Sequence, residues 1–135
     1  MGGVATGHNE AGRTISEGDF TLLTNLTWTI DQIHSDREYM KHTQFGERIL
    51  AGSCVLACAH GLANRSGVSQ ALDNDKLRRV VLLGFARVSF TAPVKPGDTI
   101  TVRSEILEVH PTRNDPKRAV VTVKDTTFKT RVARR

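Results

Sequence analysis

Aromatic residues are scarce: one Trp, one Tyr and five Phe make up 5% of the 135 residues. With so few rings on which to stack bases, and with basic residues spread along strands rather than gathered on one helix, the chain is a poor candidate for binding nucleic acid despite a formal net charge of +5. Long hydrophobic runs are also missing. The longest, Ile49 to Leu62, is 14 residues and is broken by Gly52, Ser53 and His60, so it is too short and too polar to span a bilayer. Cysteine is limited to Cys54 and Cys58, four apart inside that run, where helical geometry places both on one face. They read as small core residues rather than as a disulfide or a zinc site. The amino-terminal stretch MGGVATGHNEAGR has no cationic segment leading into an apolar one and does not read as a secretion signal. A cytoplasmic protein with a loose, glycine-rich arm over residues 1–12 is expected.

What is present suits one globular domain over residues 13–135. About two-fifths of the chain is apolar (39%), and a chain of this length buries roughly two-thirds of its unfolded surface. Charge is divided unevenly: residues 1–75 carry five Lys/Arg against nine Asp/Glu, residues 76–135 fourteen against five. Such a basic half suits an anionic ligand, and a phosphorylated small molecule fits better than a polyanion or a membrane surface.

Ser16 three residues before Asp19, followed by Phe20, Leu22, Leu23 and Leu26, predicts a capped helix over residues 17–26. Trp28 to Ser35 follows neither helical nor strand periodicity and reads as a polar loop. Ser35 or Asp36 then caps a second short helix that ends before Gly46. From Gly52 to Asn64 the residues are small or apolar almost all round the helical wheel, which predicts a helix buried on most sides. Beyond it the period changes to two. VVLLGFARVSFTAPV, DTITVRSEILEVH and RAVVTVKDTTFKTRV, separated by KPGD and PTRNDPK turns, predict three antiparallel strands. Helices first and a meander second give an α+β domain with the buried helix across a sheet.

The loop IHSDREY, the approach FGERILAG and the later FTAPVKPGDTITVRSEILEV together resemble the MaoC-like hot-dog proteins, which include (R)-specific enoyl-CoA hydratases. The similarity spans about residues 13 to 128. It implies a hot-dog fold, a long central helix wrapped by a curved antiparallel β-sheet, paired into homodimers or larger homo-oligomers. It implies an acyl-CoA thioester as substrate, with no metal and no separate cofactor. In the family pattern the loop reads D-x-N-P-x-H-x-D and the helix entry carries H-G. The histidine falls on His34 and the following acid on Asp36. The catalytic aspartate, five residues before the histidine, falls on Thr29; Asp31 stands at the asparagine, Gln32 at the proline, and Ala51 at the histidine before Gly52. Either Asp31 takes over as the acid partner of His34, or the chain keeps the acyl-CoA slot with hydration lost or altered.

Adding water across a 2-enoyl thioester needs a base for the water, an acid for the α-carbon and donors for the enolate-like oxygen. His34 and Asp31 are the expected base and acid, since an imidazole exchanges protons near neutrality. Gly52 and Ser53, opening the buried helix, are the expected oxyanion hole: the first turn leaves amides unpaired, and glycine permits close approach. Arg87 and Lys95 are candidates for the coenzyme A phosphates. Trp28, Thr29 and His60 are possible pocket residues. Each has a plainer alternative: Trp28 as packing, His60 as a hydrogen-bonded core histidine, Asp36 as an N-cap, and His34 with Asp31 as solvated loop residues. Two competing functions are an acyl-CoA thioesterase on the same fold and a non-catalytic acyl-CoA-binding subunit, the latter suggested by Thr29 and Ala51. Because family members usually add a strand after the one ending near Thr130, the sheet is expected to be one strand short, with an edge open to pairing.

Overall fold

The computed structural model describes residues 6–65 and 80–131. Helix α1 spans Glu17–Leu26, the predicted range. The Ser16 hydroxyl accepts the Asp19 N–H at 3.0 Å, and the Ser16 N–H donates to the Asp19 carboxylate at 3.0 Å. This reciprocal box satisfies two amides that the first turn leaves without partners. Phe20 is fully buried, with the Arg48 guanidinium 4.9 Å from its ring centroid, while Leu22 and Leu26 stay exposed.

The loop expected over Trp28 to Ser35 contains a one-turn helix, α2, at Gln32–Ser35. Helix α3 follows at Arg37–Lys41, where the Asp36 carboxylate accepts the Tyr39 N–H at 2.8 Å, so Asp36 is an N-cap. Helix α4 occupies Gly52–Ala63. Cys54, Ala59, Leu62 and Ala63 are buried with Ile15, Phe20, Leu50, Val94, Ile100 and Val102 in one cluster. The expectation of a helix covered on most sides holds only in part for the single chain: Ser53, Ala57 and Gly61, four apart, form an exposed stripe.

The sheet has β1 at Thr6–Thr14, β2 at Thr99–Pro111 and β3 at Ala119–Thr130, antiparallel in the order β1-β2-β3. Ile100, Val102 and Ser104 alternate along β2 as its buried face, against which α4 packs. Register shifts between Asn9 and Arg13 and between Ile106 and Glu108 bend the ribbon. Ahead of β2, Pro96 and Gly97 form the corner of a type II turn: Gly97 has φ +90°, and the Asp98 N–H reaches the Lys95 carbonyl at 3.0 Å. The turn is stitched to the end of β1 by Gly97 N–H to Ile15 O (2.7 Å) and Ile15 N–H to Asp98 O (2.9 Å).

Two expectations need correction. The arm assigned to residues 1–12 is, from Thr6 onward, part of β1; residues 1–5 lie outside the described set. Glycine was misleading there because Gly12 is a packing residue: a Cβ on it would lie 2.7 Å from Thr99 Cγ2. The strand predicted for VVLLGFARVSFTAPV is absent. Residues 80–90 are exposed, Val81 at 72% and Leu83 at 79%, and residues 80–98 contain no strand. Period-two patterning shows that a segment suits a sheet, but a strand also needs a strand to pair with, and among the described residues this segment pairs with none. The question of a further strand after Thr130 concerns residues 132–135, outside the described set.

The capping box makes a pH-dependent contribution. The Ser16 hydroxyl and amide hydrogen bonds, with Arg13 nearby, hold the Asp19 carboxyl below its ordinary 3.8. A lowered carboxylate pKa contributes stability above the unfolded-state value and loses it as pH falls through the folded-state value. The difference in unfolding midpoint between the parent and Asp19→Asn should therefore be constant above about pH 5 and shrink below pH 3.8. Thermal unfolding at stepped pH measures it, and a difference that persists undiminished in acid would refute the assignment.

Candidate functional site

His34 sits in the last turn of α2, half-buried, and its ring orientation is set from a distance in sequence. The Ile49 N–H bonds the Ile33 carbonyl at 3.1 Å, bringing the lead-in to α4 alongside α2, and Nδ1 of His34 lies 2.6 Å from the Ile49 carbonyl oxygen. A carbonyl only accepts, so Nδ1 carries the proton and Nε2 of the neutral ring is left as a base. The same lead-in is bound on its other side, Leu50 N–H to Val94 O at 2.7 Å. These bonds bring His34, Phe45, Ile49, Gly52, Val55 and Phe90, with residues 91–94, around one cleft of about 340 Å³.

Among the described residues its walls are apolar apart from His34 and Thr91, and no Asp or Glu lines it. Gly52 opens α4 with Ala51 as N-cap; the first intrahelical bonds come from Cys54 and Val55 to Ala51 O, so the amides of Gly52 and Ser53 precede the ladder at the positive end of the helix dipole. The Phe90 ring lies against Gly52, its Cε2 and Cζ 2.9 and 3.0 Å from where a Cβ would stand.

Of the residues expected to form the site, His34 and Gly52 line the cleft; Trp28, Thr29, Asp31, Ser53 and His60 do not. Asp31 is exposed and its carboxylate makes no hydrogen bond among the described residues. Asp31 is the N-cap of α2, with φ −55° and ψ 153° and no side-chain capping bond, so its carboxylate stands outside the turn that carries His34. Thr29, at the family aspartate, joins a hydroxyl chain: its Oγ1 is 2.9 Å from Thr27 Oγ1, which reaches the Leu23 carbonyl (2.7 Å) and Cys54 Sγ (3.3 Å). Trp28 is 85% exposed with φ +59°. His60 packs edge-on against Phe85, ring centroids 5.9 Å apart. Lys95 is committed to the Phe45 carbonyl at 2.5 Å, and Arg87 is exposed. Burial and the neighbouring Cys54 push the Cys58 thiol up, the reverse of what an activated nucleophile needs.

Sequence reasoning missed the Ile49 carbonyl and Phe90. The carbonyl carries no sequence signal, because any residue supplies one. Phe90 has one: it is the aromatic in FTAPV, within the stretch that carries the resemblance.

The contact between Gly52 and Phe90 is with the far end of a side chain that is 55% exposed. Gly52→Ala should therefore displace the ring rather than the backbone, and its stability should stay within about 1 kcal/mol of the parent, helped by the gain in helix propensity. Chemical denaturation measures this, and a larger loss would show that Phe90 is held rigidly.

Residues 5–129 match the MaoC like domain. The curated relative Protein MaoC of Klebsiella aerogenes is 33% identical over 91 residues, which is 67% of this chain and 25% of that protein, so the chain spans about a quarter of its relative's length. Among solved structures, the monoamine oxidase regulatory protein from Archaeoglobus is similar at a TM-score of 0.79 and 30% identity, covering 96% of this chain and 80% of that one. A MaoC-like dehydratase from Rhodospirillum rubrum has a TM-score of 0.76 at 21% identity (96% and 82% covered), and the (R)-hydratase from A. caviae involved in PHA biosynthesis 0.63 at 17% (95% and 83%). The last two show shared architecture, and with them the α+β arrangement is the hot-dog fold. The chain belongs to the MaoC-like domain family.

Proposed function

We propose that the chain is a hydratase or dehydratase acting on a 2-enoyl-CoA or 3-hydroxyacyl-CoA thioester, with His34 as its proton-transfer group. The observation that carries this is the His34 Nδ1 bond to the Ile49 carbonyl, which leaves Nε2 basic in an apolar cleft that also reaches the amino end of α4. In hydration, Nε2 takes a proton from water as the water oxygen bonds the β-carbon. The π electrons move onto the thioester oxygen, held by the Gly52 amide with Ser53 next in line, and return as the α-carbon takes the proton from the imidazolium. Dehydration is the reverse. Membership of the MaoC-like family supports this class of reaction.

Because Asp31 lies away from the cleft, the reading puts the proton cycle on His34 and leaves Asp31 a secondary role. The expected outcome with crotonyl-CoA is loss of the conjugated-thioester absorbance. His34→Ala should lower the rate by at least about a hundredfold, the usual worth of a general base, and Asp31→Asn by less than tenfold. Equal rates in His34→Ala and the parent would end the reading. A second reading, a non-catalytic acyl-CoA-binding subunit, is favoured by a cleft with no carboxylate among its described lining residues and by Thr29 at the family aspartate; thioester binding without turnover would select it.

We further propose that the working form is a homodimer or larger homo-oligomer. Val80, Val81, Leu82, Leu83 and Phe85 are exposed along one extended segment, and Ser53, Ala57 and Gly61 leave a small-residue stripe on α4. A second copy of the chain can cover both surfaces. Sedimentation should give at least twice the 14.8 kDa chain mass, and Leu83→Asp should shift it toward monomer; a monomeric parent would refute this.

A further inference from the structure

Asp98 is completely buried, yet it carries a carboxylate. Its Oδ2 accepts the Lys95 N–H at 3.0 Å and Lys129 Nζ at 3.2 Å. Its Oδ1 has no hydrogen-bond donor among the described residues, and Arg131 Nε stands 3.7 Å away. Holding the type II turn does not require a charge, since the turn's own 3.0 Å backbone bond and the φ of Gly97 already do so. Taking an ion out of water is costly unless cations meet it. The carboxylate therefore has to be understood through Lys129 and Arg131.

Both cations reach past Asp98 to the two segments that wall the cleft. Lys129 Nζ also donates to the Pro93 carbonyl at 2.6 Å, and Arg131 also donates to Glu47 at 2.7 Å. Lys95, whose amide bonds Asp98, donates its Nζ to the Phe45 carbonyl. Phe45 and Pro93 line the cleft, and Glu47 lies two residues before Ile49. The two segments meet through Leu50 N–H and Val94 O at 2.7 Å, one residue beyond the carbonyl that takes the His34 Nδ1 proton.

We propose that Asp98 is a positioning residue for His34: through Lys129 and Arg131 its buried carboxylate fixes the 45–50 and 93–98 segments, and with them the Ile49 carbonyl that selects the imidazole tautomer. Its catalytic meaning rests on the hydratase reading. The tautomer itself can be read without turnover.

The test is the nitrogen spectrum of the His34 ring, identified by its loss in His34→Gln. In its neutral ring the parent should show the Nδ1-protonated form. Lys129→Met removes one of the two cations that meet Asp98 and leaves Arg131 beside it; in the folded variant the ring should move toward the Nε2-protonated form that an unconstrained imidazole prefers. Lys129→Arg should restore the parent spectrum, and Asp98→Asn, which keeps an acceptor for the turn but loses the charge, should resemble Lys129→Met. In turnover, Lys129→Met should lower kcat about tenfold with KM within twofold. A folded Lys129→Met with the parent tautomer overturns the proposal whatever the activity. A shifted tautomer in a protein whose parent hydrates no enoyl thioester supports the positioning role and removes only the catalytic reading.

Discussion

Packing α4 against the buried face of β2 is the contact on which the rest depends. Helix α4 presents Cys54, Ala59, Leu62 and Ala63 to Ile100 and Val102, a seam of mostly small side chains that lets the axis lie close to the sheet. Close approach fixes where the helix begins, and its lead-in is then held by Leu50 to Val94 on one side and Ile49 to Ile33 on the other. The amides of Gly52 and Ser53 and the ring of His34 thus take their places from one packed layer rather than from the loops that carry them.

The acceptor chosen for His34 has a chemical consequence. A carboxylate behind an imidazole orients the ring and also stabilises the imidazolium that forms during proton transfer; a backbone carbonyl orients it with a dipole alone. Thr29 and Asp31 remove the first arrangement in two different ways. Thr29 spends its hydroxyl on Thr27, and Asp31 faces solvent from an N-cap. On the proposed reading, His34 keeps its ring orientation but has less electrostatic support for an imidazolium than a buried carboxylate at position 29 would give.

What could be read along the chain was local. The Ser16–Asp19 box, the Asp36 cap, the Pro96–Gly97 corner and the extent of α4 each rest on residues within a few positions of one another, and the structure has them where expected. The failures share a different cause. Gly12 is small because Thr99, 87 positions away, presses on it; residues 80–94 have strand patterning but pair with no strand among the described residues; and His34 takes its acceptor from residue 49. The resemblance carried the family and the fold correctly, but a spacing of three between Asp31 and His34 could not show that a cap conformation turns the carboxylate away.

The basic second half also changes meaning once the contacts are known. Its surplus of Lys and Arg suggests an anionic ligand, yet Lys95 and Lys129 are used on backbone carbonyls, and Lys129 and Arg131 on Asp98 and Glu47. Arg118 pairs with Asp115 at 3.3 Å, and Arg103 lies 5.9 Å from the Phe128 ring centroid. Part of the positive charge is therefore structural, with Lys95, Lys129 and Arg131 holding a carboxylate and the ends of segments around the cleft. A net charge counts these cations as if they were free, whereas those without such duties among the described residues, the exposed Arg87 for one, are available to meet a phosphate.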